Sequence, residues 1–246
     1  MTVTVDLALP GTVLAIGAHP DDVEFGCGAT LAKWSAAGAA VHLCICTDGS
    51  KGSWDGDADL MALVAAREQE QRDAAAKLGA ADVHFLGYVD GELNSGLEAR
   101  AAVSRVIRRV RPDVVLGHDP WRAYRLHPDH FHAGLVTTEA LVAARDPHFF
   151  PEQLSSADAL RPHRAATLLL FEARRVNHVE RIDGTLDDKV AALLEHRSQW
   201  RSTMGIDPPS AHEVERFAQT VRDAAQAAGI RAGVRAGEAF ARLDDL

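Results

Sequence analysis

Short apolar runs rich in β-branched residues alternate along the chain with stretches whose apolar positions recur at helical spacing. Residues 12–18, 41–47, 83–86, 114–117 and 166–171 read as strands, each too short and too evenly apolar for a helix. Between them, residues 28–37, 60–78, 97–110 and 128–145 carry the helical pattern. Gly79 ends the second of these helices and Pro112 the third. Residues 185–200 and 211–228 predict two more helices. Strand and helix thus recur about every 30 residues, which predicts an α/β fold: a doubly wound, mostly parallel, Rossmann-like sheet flanked by helices. Such a sheet collects all its strand C-termini on one edge, where ligands bind. Residues 147–162 lack periodicity and predict a long loop, and residues 48–59 a glycine-rich one. No linker-like stretch divides residues 1–246, so one domain is expected, with additional C-terminal helices over about 185–246.

Composition narrows the classes. Of the 246 residues, 47% are apolar, too many for a disordered chain. The net charge of −9 disfavours nucleic acid as a partner. The one basic cluster, Arg105, Arg108, Arg109 and Arg111, falls at a helix end, where cations suit the dipole and solvent. No apolar run reaches the length of a membrane span, and the first residues carry neither a basic nor an apolar leader segment, so a cytoplasmic, membrane-free protein is expected. Three cysteines argue against a disulfide scaffold; Cys44 and Cys46 alternate on one strand and read as packed thiols.

Two polar constellations stand at predicted strand ends. Residues 18–28 read Ala-His-Pro-Asp-Asp-Val-Glu-Phe-Gly-Cys-Gly. A single Asp there would read as a helix cap. Two adjacent carboxylates repel, and a fold that holds them together usually supplies a cation; His19 and Asp22, three apart, can reach one zinc ion. The second constellation is His127-Pro128-Asp129-His130, with Pro128 suited to a first helical turn. An isolated H-x-x-H is a weak signal. Together the two runs offer histidines and a carboxylate in the number that leaves a catalytic metal an open position. His118 is a further candidate for the pocket wall, whereas His42 and His84 inside predicted strands read as packed core groups.

The runs His19-Pro20-Asp21-Asp22, Thr47-Asp48-Gly49, Arg67-Glu68-Gln69-Glu70 and His127-Pro128-Asp129-His130, in this order, resemble the LmbE-like / PIG-L family. These are metal-dependent N-deacetylases acting mostly on N-acetylglucosaminyl compounds. Val23 stands where the family motif usually has Glu, with Glu24 one place later. The resemblance implies that His19, Asp22 and His130 bind zinc, with Asp21 as general base. It implies that His127 stabilises the oxyanion or protonates the leaving amine, and that Asp129 orients and polarises His127. Arg67 matches a family arginine near the sugar. Tyr124, Lys51 and Trp54 are candidate substrate contacts, the Trp by stacking on a sugar ring. Glu68 and Glu70 read as helix surface or as groups supporting the site from behind.

The expected activity is metal-dependent removal of an N-acetyl group from an N-acetylglucosaminyl-type compound. The expected cofactor is Zn2+; Fe2+ or another divalent ion is compatible, since His and Asp do not select zinc alone. The expected partner is a small N-acetylated sugar conjugate, with the alanine-rich residues 211–228 a candidate surface for a homo-oligomer. Two alternatives use the same residues differently: an amidase of a thiol or natural-product conjugate, and a non-catalytic nucleotide-binding module. The second is disfavoured because Gly26-Cys27-Gly28 lacks a third glycine and its turn is full of carboxylates.

Overall fold

The apolar runs pair into one eight-stranded sheet in a computed structural model that describes residues 3–155 and 160–246. In chain order the elements are β1 (Thr4–Val5), β2 (Thr12–Gly17), α1 (Asp22–Ala36), β3 (Ala40–Thr47), α2 (Leu60–Lys77), β4 (Asp82–Tyr88), α3 (Leu97–Val110), β5 (Val114–His118) and α4 (Pro128–Arg145). They continue as α5 (Glu152–Ser155), β6 (Thr167–Phe171), β7 (His178–Arg181), α6 (Leu186–Glu195), a 3-10 turn at Arg197–Gln199, α7 (Ala211–Ile230) and β8 (Gly237–Asp244). The strand order is β1-β7-β8-β6-β5-β2-β3-β4. From β2 the chain winds outward through β3 and β4, then returns to build β5 and β6 on the other side of β2, all in parallel. The order therefore reverses between β2 and β5, and a crevice opens where their following loops part.

Alternation along the strands divides the core. Val13, Ala15, Leu43 and Ile45 pack with Leu31 and Trp34 of α1 and Leu78 after α2. Leu14, Ile16, Cys44 and Cys46 face the other way, onto Val103 and Ile107 of α3 and Val136 of α4. Helices on both faces make this the doubly wound sheet the periodicity predicts. Cys44 and Cys46 are free and buried on the same face, as expected, and burial pushes the Cys44 thiol up to about 12. Among the described residues, no helix is long and apolar enough to cross a membrane.

The structure departs from the sequence reading at four places. Helix α1 begins at Asp22 instead of near residue 28 and is interrupted at Cys27 (φ −152°, ψ 15°). Gly26 and Gly28 weaken the periodicity there, and Gly26 is required because a Cβ would sit 2.6 Å from the Phe171 ring. The break frees backbone groups, which a buried ion pair satisfies: Ala29 and Thr30 donate to Glu238, and Lys189 donates to Phe25 O at 2.7 Å and Glu238 at 2.6 Å. Second, residues 185–246 are not all helical. Strand β8 runs antiparallel between β6 and β7, and the apolar stripe of α7, with Phe217, Ala218 and Val221, is turned inward onto α6. Third, residues 147–162 contain α5, and residues 156–159 of that expected loop lie outside the described residues.

Fourth, Arg108 is no surface cation. It is 1% exposed, and its guanidinium caps the carboxyl end of α4. Nε donates to Ala144 O (3.1 Å), Nη2 to Ala143 O (2.8 Å), Asp146 O (2.9 Å) and Phe149 O (2.9 Å), and Nη1 to Gln153 Oε1 (3.0 Å). The last carbonyls of a helix lack intrahelical donors, and one planar fork supplies several. Arg108→Ala is expected to destabilise the fold by about 3–5 kcal/mol, because buried carbonyls lose a charged donor. Urea denaturation checks it; a loss below about 1 kcal/mol would mean that water replaces the guanidinium without cost.

Candidate active site

The crevice between β2 and β5 is a cavity of about 470 Å³ walled by His19, Asp21, Asp22, Arg67, Asp90, His127 and His130, among others. His19, Asp21 and Asp22 occupy the turn from β2 into α1. His127 is the N-cap of α4, and Asp129 and His130 lie in its first turn, with Pro128 opening the helix. Segments more than a hundred positions apart meet because β2 and β5 are neighbours in the sheet.

Three residues form a tight triangle, Asp22 facing His19 with one carboxylate oxygen and His130 with the other. His19 Nδ1 lies 3.1 Å from His130 Nε2 and 3.3 Å from Asp22 Oδ2, and His130 Nε2 lies 3.2 Å from Asp22 Oδ1. Tetrahedral ligands about 2.0–2.1 Å from a zinc ion stand roughly 3.3 Å apart, so each of these separations has the length of an edge of such a site. His19 is oriented for this. Its Nε2 lies 3.1 Å from Asp129 Oδ2 and 3.2 Å from Asp90 Oδ1, which hold the ring proton on Nε2 and turn Nδ1 to the cavity. Asp129 Oδ2 also accepts from Gly91 N, at 2.6 Å. His19, His127 and His130, and likewise Asp22, His118 and His130, have donor atoms within 4.8 Å of one another. A group of His and Asp here can hold a metal ion.

The electrostatics differ from group to group. Burial disfavours charge on His19, but Asp129, Asp22 and Asp90 outweigh it and raise its pKa well above the ordinary value. Burial also opposes charge on Asp22, yet His118 and His130 hold its carboxyl well below the usual range. Burial pushes His130 down to about 4, which keeps this imidazole neutral, the ligand form. Asp21 behaves differently. Burial raises its carboxyl to about 6, with Arg67 pulling it down and Asp22 pushing it up.

Asp21 has φ 108° and ψ −26°, a region that strains a non-glycine residue. Helix α2 holds it there. Gln71 Oε1 accepts from Asp21 N at 3.1 Å, and Arg67 Nη2 donates to Pro20 O at 2.6 Å while lying 3.5 Å from Asp21 Oδ2. Arg67 Nη1 donates to Gly49 O at 2.9 Å, and a Cβ on Gly52 would fall 2.3 Å from the same atom. The glycine-rich loop is thus wrapped onto the guanidinium. Arg67 borders the cavity, with its Nη atoms turned to carbonyls and to Asp21.

Other expectations are redistributed. Asp129 makes its short contact with His19 and not with His127. The ring of His127 folds back so that Nδ1 accepts from Asp129 N (3.3 Å). The carboxylate nearest His127 Nε2 is Asp90, at 3.9 Å. Burial and the His19 charge lower the His127 pKa, where polarisation by Asp129 predicts a rise. With Nδ1 accepting, the His127 proton sits on Nε2, and the ring is 44% exposed beside the cavity.

Lys51 borders the cavity, but its ammonium is bound to Asp90 O and to Glu92, 3.1 Å away. Trp54 (79% exposed) and Tyr124 (97% exposed) do not line it; Tyr124 borders a hollow with Arg122 and Arg174 that shares Glu172 with the cavity. His118 lies behind the wall, its Nε2 3.2 Å from Asp22 Oδ2. Glu70 is no bare surface group, since it accepts from Ser198 N (2.8 Å) and Oγ (2.7 Å), whereas Glu68 stays exposed beside Arg72.

Sequence reasoning missed Asp90, Glu172, Arg125 and the pair Glu24–His196. Asp90 follows β4 and Glu172 follows β6, so the strand-end rule finds both once the strands are drawn to their full length. Glu172 pairs with Arg125 and Arg122 and lies 3.4 Å from His118. Glu24 is fully buried, accepts from Gln71 Nε2 at 2.7 Å and faces His196 at 3.5 Å.

A doubly wound α/β chain with a His/Asp group able to hold a metal at its switch point and a buried carboxylate of raised pKa beside it has the parts of a hydrolytic site. Its sequence agrees with one family: the profile described as "PIG-L: GlcNAc-PI de-N-acetylase" matches residues 14–141. The chain belongs to the PIG-L family, whose LmbE-like motifs it carries. It is 36% identical over 188 residues to the diacetylchitobiose deacetylase of Thermococcus kodakarensis, covering 76% of this chain and 70% of that one. It is 31% identical over 224 residues to the 1D-myo-inositol 2-acetamido-2-deoxy-alpha-D-glucopyranoside deacetylase of Thermomonospora curvata, covering 76% and 75%. The structure of the N,N'-diacetylchitobiose deacetylase from Pyrococcus horikoshii superposes with a TM-score of 0.85 at 30% identity, covering 96% of this chain and 84% of that one.

Proposed function

We propose that the protein hydrolyses the N-acetyl group of an N-acetylglucosaminyl-type compound with a zinc ion held by His19, Asp22 and His130. The observation that carries this reading is the triangle of His19 Nδ1, Asp22 and His130 Nε2 at 3.1–3.3 Å, with Asp21 buried beside it. The relatives in Thermococcus kodakarensis and Thermomonospora curvata support the substrate class, because both are named for removing acetyl groups from glucosamine-containing compounds.

When bound, the ion supplies Lewis acidity to the acetamido carbonyl and lowers the pKa of a water toward neutrality. The chain's residues do the rest. Asp21, raised to about 6, is largely ionised at neutral pH and basic enough to take a proton from the attacking water. His127, with its proton on Nε2, donates to the oxygen that becomes negative as the carbonyl carbon turns tetrahedral. A neutral imidazole of lowered pKa is a poor acid, so the proton taken by Asp21 is the one returned to the departing amine. Asp90 and Asp129 hold His19, while Arg67 and Gln71 hold Asp21. Gln199 and Thr203 border the cavity and β8 lies inside the sheet, which supports reading residues 185–246 as part of the same deacetylase domain.

A panel of N-acetylglucosaminyl conjugates incubated with zinc-loaded protein is expected to yield acetate and a primary amine in equal amounts, read by mass spectrometry. Cleavage of the panel at another bond, or no amine from any member, would remove the deacetylase reading.

A further inference from the structure

His42, Asp82 and His84 stand at the start of β3 and β4, at the end of the sheet opposite the His19 cluster. The parallel register sets His42 against Asp82 and Cys44 against His84. With side chains alternating along each strand, all three rise from the face that α3 covers. The five residues of β3 between His42 and its far end span about 16 Å, so this cluster is separate from the cavity.

The two imidazoles stack with centroids 5.9 Å apart and planes 20° from parallel. His84 Nε2 lies 3.8 Å from Asp82 Oδ2, and one donor atom from each of the three residues lies within 4.8 Å of the others. Asp82 Oδ1 accepts from Val83 N at 2.8 Å, which leaves Oδ2 toward the histidine. His42 Nδ1 and His84 Nε2 are both buried and make no hydrogen bond. Buried ring nitrogens normally find a partner. Two of them without one, side by side and with a carboxylate at hand, is the arrangement that a shared cation satisfies. Burial lowers the pKa of both rings against the pull of Asp82, and for His84 the neighbouring His42 and Arg109 of α3 lower it further, so both rings present lone pairs.

We propose that His42, Asp82 and His84 form a second divalent-metal site, taking a zinc-class ion and tying the edge strand β4 to β3. Two imidazoles and one carboxylate are ligands such an ion accepts, and the exposed side of Asp82 leaves room for water to complete its shell.

The test is the zinc content of the chelator-stripped full chain after equilibrium dialysis against ZnCl2, read by elemental analysis. At zinc concentrations that fill the wild type, His42→Gln and His84→Gln are each expected to bind one ion fewer per chain. Asp82→Asn is expected to bind that ion at least tenfold more weakly. The same decrement should appear in an Asp22→Asn background, which separates it from the His19 cluster. Unchanged zinc content in a folded His84→Gln protein would overturn the proposal. If the buried histidine variants do not fold, unchanged zinc affinity in Asp82→Asn, whose side chain is largely exposed, overturns it equally.

Discussion

Asp21→Asn is expected to lower kcat by about 10²–10⁴-fold while leaving the bound metal in place. The substitution keeps the shape of the side chain and removes only its ability to take a proton. The triangle of His19, Asp22 and His130 does not include Asp21, so its ion should stay. Gln71 accepts from the Asp21 backbone and Arg67 donates to Pro20 O, so the strained turn is held without the carboxylate. The pH profile adds a second readout. A base acts only when deprotonated, and burial raises the Asp21 carboxyl to about 6. Activity should therefore fall as pH drops through the Asp21 pKa, and the ion beside it should move that acid limb below 6 in the loaded enzyme. In Asp21→Asn the limb should vanish from the residual rate. Acetate release across pH, with metal content on the same sample, checks both. Metal lost in proportion to activity would reassign Asp21 to the ligand set.

Much of this site is legible in the sequence because it follows the strongest pattern in the chain. Strands β2, β3, β5 and β6 are continuous apolar runs, and a parallel sheet buried on both faces demands such runs. Once they are drawn, His19 and His130 fall at neighbouring strand ends without any knowledge of side-chain positions. What escapes the sequence depends on partners distant in the chain. Strand β8, Gly-Glu-Ala-Phe-Ala-Arg-Leu-Asp, mixes charge into its alternation because Glu238 reaches back to cap the break in α1. Arg108 resembles its exposed neighbour Arg109 in every local respect, and only the docking of α4 against α3 buries it. Asp90 is missed because β4 runs to Tyr88, two residues beyond its apolar run. Tyr124 and Trp54 stand exposed outside the cavity lining, since proximity in sequence to a site says nothing of which way a loop turns its rings.

Asp22→Asn, the same change one residue further on, is expected to have the opposite effect on metal. The Asp22 carboxylate accepts from His19 N at 2.7 Å and lies 3.2–3.3 Å from His19 Nδ1, His118 Nε2 and His130 Nε2. It is the one negative charge in the triangle, and an amide oxygen cannot replace it as counter-charge to a divalent ion. Loss of an outer-shell partner typically weakens metal binding by 10–100-fold, and loss of the anionic ligand itself should exceed that range. Turnover should fall with the metal and recover in part when zinc is raised, whereas added zinc should do nothing for Asp21→Asn. Elemental analysis and zinc-dependent acetate release on the two variants, with circular dichroism to show that both are folded, read the contrast directly. Equal metal content in the two proteins would mean that the adjacent carboxylates share one role. The division between a ligand of depressed pKa and a base of raised pKa would then be lost, and with it the proposed mechanism.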